Sequence, residues 1–272
     1  MNNMKRIVFF LSLLCCVLWS AKASRTDSLQ VFSKAMNRSI EVNVVVPEYE
    51  GRFPVLFILH GYSGDADNWL DKKPELKQYA DRDGVIIVCP DGENSWYWDS
   101  PAVPESQFET FISKELIEYL DANYPTIAAR SARAITGLSM GGHGAMWLSI
   151  RHSDVFGAAG SMSGGVDIRP FPKRWEMQKV LGAKPEDEEV YEKYAAINQI
   201  SNLQPGQLEL MICCGYDDFF YEVNNNFHQA LLDKGIKHDF VVREGGHTWA
   251  YWTNAIDYHW LFFTNFFKKN HR

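Results

Sequence analysis

From residue 54 onward, short runs that are apolar at nearly every position alternate with longer amphipathic stretches, and no other property of the chain constrains its fold as much. Pro54–His60 (PVLFILH), Val85–Pro90 (VIIVCP), Arg133–Leu138, Phe156–Ser163, Leu208–Cys214 and His238–Arg243 read as strands, with Ile40–Pro47 as an earlier one. Asp67–Ala80, the stretch from Ser106 to Pro125, Gly141–Arg151, Val223–Lys234 and Thr248–Lys269 read as helices. Strands apolar on both faces must be covered on both faces, so the expected fold is α/β, a mostly parallel sheet between helical layers. Ser106-Gln107-Phe108-Glu109 has capping-box spacing and opens the second helix. Val166–Pro205 breaks the rhythm with four prolines, an acidic run Glu186–Glu189 and a helix-like stretch Val190–Ile200. It reads as an insertion at the mouth of a site, long enough to be a lid.

The first 23 residues read as an export leader rather than as part of the fold. Lys5 and Arg6 precede an apolar stretch from Ile7 to Trp19, and Ala21-Lys22-Ala23 has the small-x-small spacing of a cleavage site. The apolar stretch has 13 residues, fewer than the roughly 20 that cross a bilayer. A secreted or periplasmic protein is expected, cleaved after Ala23 and not held in a membrane, with one domain over 24–272. With 46% hydrophobic and 22% charged residues, such a chain builds a full core without staples. Its net charge of −7, from 27 basic and 34 acidic residues, argues against nucleic acid as a partner. Cys89, Cys213 and Cys214 form no metal-ligand spacing and read as buried thiols, so neither metal nor redox cofactor is expected.

Gly137-Leu138-Ser139-Met140-Gly141 lies where a strand meets a helix. A serine hydroxyl becomes a nucleophile when a sharp turn exposes it to a base, and small residues two before and two after it let strand and helix close around that turn. A phosphate-binding loop fits poorly, because position 147 is tryptophan and no lysine follows the glycines. The base is expected late in the chain, at His247 in Gly245-Gly246-His247-Thr248-Trp249, between the last strand and the last helix. The acid lies between nucleophile and base, after the strand ending at Cys214, where spacing leaves Asp217 and Asp218 equivalent. Two N–H donors must face the developing oxyanion. Met140, after the nucleophile, supplies one, and Tyr62, in the loop His60-Gly61-Tyr62 after an early strand, supplies the other.

These residues carry a resemblance. LHGYSGDADNW (59–69), CPDGENSWYWDSP (89–101), GLSMGGHGA (137–145), CGYDDFFYEVN (214–224) and EGGHTWAYW (244–252) occur in the order seen in the esterase D and feruloyl-esterase branch of the α/β-hydrolases. That branch also includes S-formylglutathione hydrolases, acetyl esterases and mycolyltransferases. In its pattern the acid is the fourth residue of a stretch opened by glycine, which from Gly215 selects Asp218, with Asn224 further on. The resemblance implies a serine esterase with the α/β-hydrolase fold and no cofactor or metal. It also implies a small-molecule or carbohydrate ester as substrate, with feruloyl, cinnamoyl or acetyl as the acyl group. Trp98 and Trp252 are the candidates for substrate contact, among the rings of 96–98 and 249–252. Acyl transfer to a sugar, glutathione-thioester hydrolysis and a turnover-free carbohydrate-binding role are the competing expectations. Export weighs against the thioester, and the ordered Ser, Asp and His against mere binding.

Overall fold

The computed structural model describes residues 24–270. Eight strands form one sheet: β1 (Arg25–Ser33), β2 (Arg38–Val46), β3 (Val55–Leu59), β4 (Ile86–Pro90), β5 (Arg133–Gly137), β6 (Ala158–Met162), β7 (Glu209–Gly215) and β8 (Asp239–Arg243). Their spatial order is β1-β2-β4-β3-β5-β6-β7-β8. β1 and β2 join antiparallel, while β3 to β8 are mutually parallel. The expected α/β architecture is therefore present. The leader expected over 1–23 lies outside the described residues.

Successive strand residues point to opposite faces, and both faces are covered. Phe57 and Val88 belong to one apolar layer, Leu56, Ile58 and Ile87 to the other. Helices α1 (Asn68–Lys72), α2 (Leu76–Asp83) and α10 (Trp249–Asn270) close the second layer. The first layer is closed by α3 (Phe108–Thr110), which runs through a π-helical turn at Phe111–Glu115 into α4 (Leu116–Asn123), and by α5 (Met140–Arg151) and α9 (Tyr221–Asp233).

Three local expectations are corrected. The helix over 67–80 is two helices, because Pro74 has no N–H to give and stops α1 at Lys72. The capping box at 106–109 does not form: Gln107 is the N-cap, without a side-chain bond, and Glu109 turns into the interior. There its carboxylate accepts Trp147 Nε1–H (2.8 Å) and Arg151 Nε–H (2.7 Å) and pairs with His152 (2.8 Å). Burial alone would raise its pKa, but the bonds from His152 and Arg151 outweigh burial and hold the carboxyl below its ordinary range. β1 was not expected, because its polar residues interrupt the apolar pattern on an edge strand with one solvated side.

The 166–205 excursion contains α6 (Met177–Leu181), α7 (Glu188–Tyr194) and α8 (Ala196–Gln199), so the helix-like stretch 190–200 is broken at Ala195, whose backbone is extended. Ile168, Met177, Leu181 and Tyr191 are buried in the first apolar layer, so this excursion shares the core of the main body.

Candidate active site

The C-terminal ends of β3, β5, β7 and β8 converge, and the candidate residues sit on the loops leaving them, where parallel sheets gather their ligand-binding loops. Ser139 links β5 to α5 with φ +53° and ψ −117°, a conformation costing a non-glycine residue about 1–3 kcal/mol. The turn is held by close backbone contact. A Cβ on Gly141 would stand 2.5 Å from the carbonyl oxygens of Leu59 and His60, and one on Gly137 would stand 2.5 Å from the carbonyl of Gly141. Both glycines are thus demanded by the packing of strand against helix.

His247 follows β8 and turns its ring to the serine, with Nε2 2.8 Å from Ser139 Oγ. On its other side Nδ1 lies 2.9 Å from Asp218 Oδ2 and 3.0 Å from Oδ1. The Asp218 side chain has no solvent exposure and also accepts the N–H of Phe220 at 2.8 Å. Asp217 is exposed and meets the base loop only through its backbone, donating to Gly245 O at 3.0 Å. The two aspartates that spacing left equivalent are thus distinct in space. The imidazole is boxed by Phe219 (4.2 Å between ring centroids), Trp252 (4.8 Å) and Phe220 (5.4 Å). A hydroxyl, imidazole and carboxylate joined in this way can pass the serine proton to nitrogen while the carboxylate fixes the tautomer and stabilises the imidazolium.

The backbone N–H groups of Tyr62 and Met140 bond to no acceptor among the described residues. Met140 opens α5, so its N–H is one of the unpaired donors of a helix start. The Tyr62 segment is braced from beneath. Gly92 N–H donates to His60 Nε2 at 2.7 Å, which leaves Nδ1 protonated to donate to Gly61 O at 2.7 Å. The buried Tyr97 hydroxyl donates to His60 O at 3.0 Å. A Cβ on Gly61 would lie 2.6 Å from Leu138 Cδ1, so this loop packs closely on the elbow, and a larger residue at 61 would push the Leu138 side chain aside.

A pocket of about 180 Å³ opens over Ser139 and is walled by Tyr62, Trp175, Phe219, His247, Trp249 and Trp252. Trp252 lies in this wall. Trp98 does not. It is wholly buried against Trp96, His143, Trp147 and Tyr194, because Trp96 and Tyr97 both take positive φ (+58° and +61°) and the loop turns its rings inward. Trp175 and Phe219, stacked at 5.9 Å, are the pocket residues that sequence reasoning passed over. Phe219 had a usable signal in following the acid directly, whereas Trp175 lies in the excursion and had none.

Cys89, Cys213 and Cys214 are free and buried, and burial pushes the thiols of Cys89 and Cys213 up to about 12. They carry no nucleophile. Among the described residues no three His, Cys, Asp or Glu side chains are placed to hold a metal ion, and no helix is long and apolar enough to cross a membrane.

Known proteins resemble this chain over most of its length. The chain is 27% identical to an acetyl esterase of Caldicellulosiruptor saccharolyticus over 74% of its own length and 79% of the relative's. It is 29% identical to a diacylglycerol acyltransferase/mycolyltransferase of Mycobacterium leprae over 83% of its length and 79% of that protein's. A solved ferulic acid esterase superposes with a TM-score of 0.77 at 30% identity, covering 90% of this chain and all of the other. The family model described as Putative esterase matches residues 33–262, spanning the elbow, the buried carboxylate and the imidazole, so the chain belongs to that esterase family and is a carboxylic ester hydrolase of the α/β-hydrolase fold.

Proposed function

We propose that the protein hydrolyses carbohydrate-borne acetyl or feruloyl-type esters outside the cytoplasm, through an acyl-enzyme on Ser139. His247 takes the Ser139 proton as Oγ attacks the ester carbonyl, and Asp218 steadies the imidazolium. The amides of Tyr62 and Met140 stabilise the negative charge that develops on the carbonyl oxygen. His247 returns the proton to the departing alcohol, then activates water, which releases the acid and restores the serine. The observation that carries this reading is the unbroken hydrogen-bonded line from Ser139 Oγ through His247 to the buried Asp218.

Two features support an aromatic acyl group: the ring-walled pocket beside the nucleophile and the likeness to a ferulic acid esterase. The acetyl esterase relative supports the smaller group. Export rests on the leader pattern of residues 1–23, and an N-terminus at Ser24 in the mature protein tests it. The deciding experiment is a screen of nitrophenyl acetate, methyl ferulate and longer-chain esters with the wild type and Ser139→Ala. Turnover of feruloyl or acetyl esters lost in the variant supports the reading, and no turnover in either protein favours a carbohydrate-binding role. A second reading, acyl transfer to a sugar, draws on the mycolyltransferase relative and predicts transesterified product when acceptor sugars are added.

A further inference from the structure

The segment carrying the Tyr62 amide is a four-residue turn, Gly61 to Gly64, closed by Gly64 N–H donating to Gly61 O at 3.0 Å. Its third residue, Ser63, has φ +63°. A turn with positive φ at the third position ordinarily has glycine or asparagine there. Serine keeps that shape only if something outside the turn holds the Tyr62–Ser63 peptide in its orientation. That support comes from Asn94, whose Oδ1 accepts Ser63 N–H at 2.8 Å while its Nδ2 donates to Glu176 Oε2 at 3.0 Å. These bonds fix which end of the amide faces the turn. Glu176 belongs to the excursion, next to the pocket residue Trp175, and both have positive φ (+55° and +49°). Their position is secured by Trp96 Nε1–H donating to Trp175 O at 3.2 Å. The Tyr62 phenol is raised from its ordinary pKa by burial first and by the neighbouring Glu176 carboxylate second.

We propose that Asn94 is a positioning residue for the oxyanion site, its amide clamped between Ser63 N–H and the Glu176 carboxylate so that the 61–64 turn, and with it the Tyr62 N–H, is held in place beside the elbow. Without that bond the 61–64 turn loses its outside tether to Asn94 and Glu176, and the Tyr62 amide shifts with the turn as a body. Trp175 and Glu176 are adjacent, so one short stretch of the excursion sets both the pocket wall and the oxyanion donor. The inference rests on the serine-esterase reading above.

The test is Asn94→Ala assayed on nitrophenyl acetate, beside the wild type and Ser139→Ala. Complete loss of an oxyanion donor lowers kcat by about 10²–10³-fold, so a displaced one is expected to lower it roughly 10- to 100-fold with KM nearly unchanged. Asn94→Asp combined with Glu176→Gln is the rescue, because the carboxylate still accepts Ser63 N–H while the new amide donates to it, and the pair is expected to recover most of the kcat that Asn94→Ala loses. A merely structural role for Asn94 would lower thermal stability while leaving kcat independent of how residues 94 and 176 pair. Glu176→Ala, at an exposed position, is expected to reproduce a smaller kcat loss that Glu176→Gln restores, and it decides the matter if Asn94→Ala does not fold. Wild-type turnover that depends on Ser139, together with undiminished kcat in Asn94→Ala or in Glu176→Ala, or with no recovery in the Asn94→Asp, Glu176→Gln double variant, overturns this inference alone. Absence of Ser139-dependent turnover in the wild type overturns the esterase mechanism and this inference with it.

Discussion

Lowering the pH from 7 to 5 is expected to destabilise the fold through two histidines that have no contact with solvent. His143, one turn past the nucleophile, donates Nδ1–H to Gly165 O at 3.0 Å and is enclosed by Trp96, Trp98 and Trp147. His259, on α10, bonds to the Thr136 hydroxyl at 2.9 Å and packs on Phe263. Burial lowers both from 6.5 to about 3, the carbonyl of Gly165 and the charge of Asp167 offsetting only part of the effect at His143. In the folded protein both stay neutral across the window, whereas in the unfolded chain both take up a proton below their ordinary value. The unfolded state then binds more protons, so stability falls with pH from about 6.5 downward. At pH 5 the gap is about 1.5 units per histidine, or about 2 kcal/mol each and about 4 kcal/mol together. The Glu109 carboxylate, held below its ordinary range, adds to the loss only further into acid. Urea titrations followed by tryptophan fluorescence at pH 7, 6 and 5 measure the effect as a falling midpoint at constant slope. His259→Gln, which cannot take up a proton, is expected to remove about half of the pH dependence. A stability unchanged between pH 7 and 5, or a dependence untouched by His259→Gln, refutes the reasoning.

Three further outcomes are expected. Asp218→Asn lowers kcat by about 10⁴-fold in steady-state assays, since the amide favours the wrong imidazole tautomer, whereas Asp217→Asn leaves kcat unchanged. Ser139→Gly abolishes turnover yet raises unfolding free energy by about 1–3 kcal/mol in denaturant titrations, because glycine accepts the elbow's dihedral angles. Trp98→Ala costs about 3–5 kcal/mol of stability by opening a cavity among Trp96, His143 and Trp147, while Trp175→Ala mainly raises KM for aromatic esters.

Period-based reading recovers what repeats along the chain. The strands β3 and β4 are short apolar runs, mainly Val, Ile and Leu, with both faces buried. What it misses depends on partners distant in sequence. Nothing local reveals that Glu109 faces Trp147, Arg151 and His152 instead of capping its own helix. The inward turn of Trp98 depends on two positive φ angles set by the loop as a whole. Motif and resemblance marked Ser139, Asp218, His247 and the two amides, since each sits at a strand end beside glycine. The pocket wall was less legible, because Trp175 reaches it from a proline-broken excursion whose path follows no period.

The hydroxyl, the carboxylate and the imidazole leave β5, β7 and β8, the fifth, seventh and eighth strands in chain order. During synthesis the chain therefore emerges from the ribosome with its nucleophile about a hundred residues ahead of any base, and the ring that must face it is secured only when Trp252 at the start of α10 closes over it. A nascent chain of this kind is chemically silent until its last strand docks, so reactivity and completed folding arrive together.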